Sequence, residues 1–267
     1  NKTNNWVFTD ISKESGADAA ILGMGLAVGD YDLDGHFDFF ITNIGNQMLF
    51  HNTGKDLIFE ETTLDAGLEM SKLNYAGGVM DRVAWATMFF DYDNDGLEDL
   101  YIVSGFLNLH ETERAFDVPA EMRLQPNVLM RNKGDSTFED KSNKSGADDN
   151  GIGRGGFYLD HNLDGCLDIF ITNLDGKAKL FQNTCNDNNW LVVNPVGTIS
   201  NKDGVGTRIK ITADGKSQIR EIAAGSSSMG QNMMEAHFGL GKATKIDSIT
   251  LSWPSGIKQT LTDIDVN

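Results

Sequence analysis

The stretch DYDLDGHFD at residues 30–38 places acids at its first, third, fifth and ninth positions, with a glycine at the sixth. An apolar run, FFITN, follows it directly at 39–43. Carboxylates this close repel one another unless something positive sits between them. Related stretches recur as DYDNDGLED at 91–99 and DHNLDGCLD at 160–168. The three hold 4, 5 and 3 of the chain's 39 acids, and the formal net charge is −17. Acidity gathered into three short segments favours cation binding over a general acidic coat. No nucleic-acid partner is expected, because phosphate contacts need a basic face.

The stretches begin at Asp30, Asp91 and Asp160, and other features recur in phase with them. A small-residue, apolar segment precedes each: GMGLAVG, AWATMFF and GRGGFYL. LFHNTG (49–54), LMRNKG (129–134) and LFQNTC (180–185) follow. FTDISKESGAD (8–18), FEETTLDAGLE (59–69) and FEDKSNKSGAD (138–148) complete the pattern. Self-similarity at roughly 60 to 70 residues indicates a repeat architecture. Each unit reads as four short antiparallel strands, rich in Ile, Phe and Val and broken by Gly, Asn and Asp. One such sheet cannot bury both faces, so neighbours must stack. The second unit carries two insertions, near 70–81 and 104–126, the latter able to hold a short helix around 112–123. WVFTDIS at 6–12 reads as the last strand of a further unit.

In the pattern D-x-[DN]-x-D-G-x-x-D, side chains at positions 1, 3 and 5 point inward as the backbone coils. The glycine permits the sharp turn, and the carbonyl at position 7 completes the wrap. Oxygen ligands at this density suit Ca²⁺, with Mg²⁺ second because it demands stricter octahedral geometry. An EF-hand would place Glu at position 12 and continue as a helix. Here position 12 is Ile41, Ile102 or Ile171, each in a β-like run, and the closing carboxylate comes at position 9. Three Ca²⁺ loops joining strands are therefore expected, the third weaker because Asn162 replaces an acid. Their role is structural, with affinity of order 10⁻⁴ to 10⁻³ M or somewhat tighter.

These loops resemble the FG-GAP, or VCBS-type, repeats of calcium-binding β-propellers. The resemblance implies side-chain ligands at Asp30, Asp32, Asp34 and Asp38, then Asp91, Asp93, Asp95 and Asp99, then Asp160, Asn162, Asp164 and Asp168. The carbonyl ligands would come from His36, Leu97 and Cys166. From about residue 188 the pattern changes. NNWLVVNPVGTISNKDGVGTRIKI (188–211) and HFGLGKATKIDSITLSWPSGIKQTL (237–261) resemble the ASPIC/UnbV domain. The fold expected is all-β: propeller blades over 1–187, then a β-sandwich-like domain over 188–267. Family propellers close with about seven blades, and this chain shows three. It is thus expected to be the C-terminal portion of a longer protein, or an arc completed by another chain.

With Asp175-Gly176 as a two-residue hairpin turn, Cys166 and Cys185 fall opposite each other. A bridge would suit an oxidising compartment; two small apolar core residues is the alternative. The five histidines show no zinc spacing and are read as structural. No nucleophile-and-base pattern stands out, and the serines of AGSSSMGQ (224–231) lack a G-x-S-x-G elbow. The polar opening NKTNN carries no signal peptide, so one has been removed or the chain is a piece of something longer. No apolar run approaches the roughly 18 residues a membrane helix needs. The expected function is an extracellular or cell-surface, Ca²⁺-stabilised binding or adhesion module, not an enzyme, recognising a protein or glycan through rim loops. The alternative is a structural subunit of a surface assembly that self-associates or joins a larger complex. A polysaccharide hydrolase or lyase is a third, weaker reading.

Overall fold

A computed structural model describes residues 7–70, 72–75, 77–107, 123–174 and 176–266. The first sheet is an antiparallel meander of β1 (Leu26–Gly29), β2 (Asp38–Ile41), β3 (Met48–Asn52) and β4 (Phe59–Glu61). A hairpin, β5 (Lys72–Tyr75) and β6 (Gly78–Asp81), forms the first of the two insertions. The second sheet repeats the meander with β7 (Ala84–Phe90), β8 (Asp99–Ser104), β9 (Val128–Asn132) and β10 (Phe138–Asp140). The third contains β11 (Gly153–Leu159), β12 (Asp168–Asn173) and β13 (Lys179–Phe181), three strands where four were expected. After Phe181 the chain leaves the sheet for the C-terminal part. The helix expected around 112–123 falls largely on residues outside those described.

The sheets stack through alternate faces of their strands. Leu100, Ile102, Val128 and Met130 of the second sheet share a core with Ala27, Phe40 and Leu49 of the first. Tyr101, Val103 and Leu129, on its other face, share a core with Ile169 and Ile171 of the third. All six residues of β8 are buried for this reason, since a strand covered on both faces has no polar side to show. The outer faces of the stack differ. On the first sheet Leu26 and Val28 are exposed, and Phe39 stacks on Phe59 with ring centroids 5.1 Å apart. On the third, Phe157 stacks on Phe170 at 5.2 Å beside exposed Leu180. No described sheet closes into a barrel.

The C-terminal part contains β14 (Asn189–Val193), β15 (Arg208–Ala213), β16 (Lys216–Glu221), β17 (Ala236–Gly241), β18 (Lys245–Ser252) and β19 (Lys258–Asp265). β14 pairs with β17, and the other four form a sheet in the order β16-β15-β18-β19. In β15 Ile209, Ile211 and Ala213 point inward while Arg208 and Lys210 face water, the period-2 pattern of a half-buried strand. The two sheets meet over one core that includes Ile209, Ile211, Phe238, Ile246 and Ile249.

Two expectations are corrected. Phe8–Asp10 has the sequence of a closing strand but pairs with nothing among the described residues. Asp10 instead precedes a one-turn helix at Ser12–Ser15, accepting the Ser12 N–H at 3.0 Å. Its counterpart Asp140 accepts the Ser142 N–H in the same way while its own strand pairs with β9. The second correction is register. Phe170 faces Leu180, where a two-residue Asp175-Gly176 turn would set it against Phe181. The register is shifted by one residue; Asp175 itself lies outside the described residues. Cys166 and Cys185 are nevertheless bonded, with Cα atoms 5.6 Å apart. Both lie beyond the ladder, where the chain is free of its register.

Candidate metal centres

Each acidic loop joins the first and second strands of its sheet, and all three fold alike. Residues at positions 4 and 6 adopt the left-handed conformation: Leu33 and Gly35, Asn94 and Gly96, Leu163 and Gly165. Leucine there costs about 1 kcal/mol, so the surrounding bonds must hold it. The position-1 carboxylates supply some of them. Asp30, Asp91 and Asp160 accept the N–H of Gly35, Gly96 and Gly165 at 3.2, 2.7 and 2.8 Å. At position 5, Asp34, Asp95 and Asp164 accept the N–H of His36, Leu97 and Cys166 at 2.8, 3.0 and 3.0 Å. At position 9, Asp38, Asp99 and Asp168 accept the N–H of Tyr31, Tyr92 and His161. The other oxygen of each takes the N–H of Asn52, Asn132 or Asn183 at 2.8, 2.8 and 2.7 Å.

Convergence separates the loops. Oxygens of Asp30, Asp32 and Asp34 lie within 4.8 Å of one another, as do those of Asp91, Asp93 and Asp99. Asp32 and Asp38 form a further group with His51, whose Nδ1 is 3.3 Å from an oxygen of each. The third loop gathers no such set from Asp160, Asn162, Asp164 and Asp168 among the described residues. Asn162 turns its amide N–H to Asp164 at 2.7 Å, and His161 Nδ1 meets Asp168 at 2.6 Å. The only group there joins Asp164 to two sulfurs already bonded to each other.

The crowded acids resist ionisation. Burial, then the charge of Glu98, pushes Asp30 up to about 7. Burial raises Asp38 to about 8. Asp91 and Asp99 stand well above the usual carboxylate range, through burial first and neighbouring aspartates second. A bound cation would remove that penalty. The second loop fits one: Asp93 Oδ1 is buried without a hydrogen-bond partner, beside the fully buried Asp91 and Asp99. An all-oxygen donor set with one orphaned carboxylate oxygen suits a hard divalent ion.

The loops also join the sheets. Asn132 Nδ2 donates to Tyr31 O, and Asn183 Nδ2 to Tyr92 O, each at 2.7 Å from one sheet to the one before. Asn52 Nδ2 donates within its own sheet, to Phe37 O at 3.2 Å. Further carbonyls of the second loop face the C-terminal part: Asp93 O accepts Asn188 Nδ2 at 2.9 Å, and Asn94 O accepts the Gly241 N–H at 2.8 Å.

Residues 197–267 match the family model described as ASPIC and UnbV. The chain is also 27% identical over 261 residues to cartilage acidic protein 1 of Xenopus tropicalis. It is 26% identical over 296 residues to the proteins of that name in Mus musculus and Homo sapiens. These alignments cover 92–93% of this chain but 36%, 44% and 43% of the respective relatives. The chain thus spans less than half the length of the curated relatives it matches.

The segment matching ASPIC and UnbV docks on the loops at three points. Gly239 lies so close to the second loop that a Cβ there would sit 1.9 Å from Asp91 Oδ2. His237 Nε2 is 3.0 Å from Gly165 O of the third loop, and burial pushes that imidazole down to about 4. Arg220 Nε lies 3.3 Å from Glu98, whose other oxygen accepts the Asp30 N–H at 2.7 Å. Between this segment and the outer face of the first sheet runs a cleft of about 780 Å³. Leu26, Val28, Phe39 and Phe59 line one wall, and Arg208 and Ser226–Ser228 belong to the other.

Sequence reasoning missed three residues here. Glu98 is legible as the odd member at position 8, where the other loops carry Phe37 and Leu167. His51 and Arg131 share one position in the LFHN and LMRN segments, and both lie over acids. Their common phase in the repeat was the available clue.

Proposed function

We propose that this chain is a calcium-stabilised binding module that works outside the cytoplasm. Its stacked sheets are read as blades of an FG-GAP-type β-propeller, with Ca²⁺ held in the first and second loops and more weakly in the third. The observations that carry this reading are the convergence of Asp91, Asp93 and Asp99 and the burial of Asp93 Oδ1 without a partner. The Cys166–Cys185 bridge favours an oxidising compartment. The cleft between the first sheet and the C-terminal segment, rather than an acid-base pair, is the surface offered for recognition. It combines stacked aromatic rings with Arg208, whose guanidinium lies 5.4 Å from the Phe37 ring. That mixture suits a protein or glycan ligand. A non-catalytic role is favoured by the serines beside it: Ser226 and Ser227 Oγ accept the N–H groups of Asn232 and Thr87, both at 2.7 Å.

The second reading is a structural subunit of a larger assembly, favoured by the apolar outer faces at both ends of the sheet stack. Calcium titration by calorimetry, with melting measured in calcium and in chelator, tests the metal reading. Saturable binding with a higher melting temperature is expected; identical curves overturn it. Size-exclusion at rising protein concentration separates the two roles, since a scaffold self-associates and a soluble receptor stays constant.

A further inference from the structure

The residue just before Asn52, Asn132 or Asn183 is His51, Arg131 or Gln182, respectively. Its position is equivalent in the three sheets, because the next residue donates its N–H to the position-9 aspartate each time. In the second sheet Arg131 spans two acids of its loop. Its Nε donates to Asp93 Oδ2 and its Nη2 to Asp95 Oδ2, both at 2.8 Å. Glu139 on the neighbouring strand steadies the far side, 3.9 Å from Nη1. The fork therefore holds the outer oxygens of the pair and leaves Asp93 Oδ1 turned inward without a partner.

We propose that Arg131 is a resident cation of the second loop, which partly replaces the metal when none is bound and thereby sets how tightly Ca²⁺ is taken up. The inference deepens the calcium reading of that loop and rests on it. A fixed positive charge on Asp93 and Asp95 has two effects. It relieves their repulsion in the metal-free protein, and it repels an arriving divalent ion. Both weaken binding relative to the same loop without the arginine, because metal and guanidinium neutralise the same carboxylates. Neither of the other sheets has this device. Gln182 is neutral, and His51 reaches Asp32 and Asp38 with a single nitrogen. The loops thus differ in affinity through a side chain outside the acidic motif itself.

The test is Arg131→Gln, the residue that the third repeat carries at this position, in the full chain with Ca²⁺ alone as probe. Calorimetry is expected to show one binding event tightened roughly tenfold. Melting in chelator should fall below wild type, and saturating calcium should close most of that gap. Unchanged or weaker calcium binding overturns the proposal. Arg131→Lys keeps the charge, so it should hold calcium affinity near wild type; tightening equal to that of the glutamine variant overturns the electrostatic account. His51→Arg is independent of whether either variant folds well. It should weaken calcium binding at the first loop and shrink the effect of chelator, and no change there counts against the proposal. If wild type binds no calcium but Arg131→Gln does, the calcium reading of the native second loop fails while the resident-cation proposal stands. If neither binds, both fail.

Discussion

The second and third acidic loops share the hydrogen bonds of their turn and differ in what their carboxylates do next. In both, position 1 holds the glycine N–H and position 9 holds an asparagine N–H from the third segment of the sheet. Only in the second do three carboxylates converge, and one oxygen among them, Asp93 Oδ1, is buried with no partner. In the third, an amide at position 3 donates where an acid would accept, and a histidine occupies Asp168. The lesson is that this turn is a backbone structure, formed by glycine and by carboxylates capping N–H groups. On the calcium reading, metal binding is a further property, added by one side chain and by the charge beside it.

Removing metal should have the largest effect on this contrast. If the first two loops bind Ca²⁺ as proposed, saturation at about 100 times each dissociation constant contributes about 5 kcal/mol together. Chelator should therefore lower the melting temperature by about 10 °C or more, and hydrogen exchange should rise at the first two loops before the third. Uniform exchange across all three would erase the distinction. Next is Gly239→Ala, whose methyl would collide with Asp91 Oδ2 and the backbone of Asn94. Overpacking of this kind costs about 1–3 kcal/mol, or more where backbone must shift. It should release the C-terminal segment from the second loop, seen as new protease sensitivity after Val193.

A pH series probes the corresponding contact of the third loop. The His237 imidazole stays neutral to about 4 because it is buried, while in the unfolded chain it protonates near 6.5. Its contribution is present above about 6.5 and is lost as pH falls from there towards 4, on the order of 3 kcal/mol. His237→Gln should flatten the stability curve over that window relative to wild type; parallel curves would refute the assignment. The smallest effect is expected from Asn162→Asp. It should lower the chelated melting temperature by about 2–4 °C, roughly 1 kcal/mol, and strengthen calcium binding at the third loop. A calorimetric trace identical to wild type would mean that His161, not Asn162, keeps that loop apart.

Much of this was readable from sequence because it depends on short periods. Alternating apolar residues gave the strands, and the glycine at position 6 gave the turn. The phase of LFHN, LMRN and LFQN placed the third segment of each unit. What escaped depends on contacts that no short period encodes. Arg131 looks like an ordinary surface charge until strand pairing brings it over the acidic loop of its own sheet, and Glu98 until the C-terminal segment brings Arg220 to it. The cysteine pairing was anticipated from a register that is wrong by one residue, and it holds because both sulfurs lie past the ladder. WVFTDIS has the composition of a strand, but a strand also needs an edge to pair with, and composition cannot supply one.

The asparagine joints have a consequence for how such chains grow. Each is made between a side chain that every repeat carries and a main-chain carbonyl that any residue would present. The seam is therefore one-way but indifferent to identity, like overlapping roof tiles. A duplicated repeat would arrive with its own fastening, so lengthening the array needs no new interface to be invented.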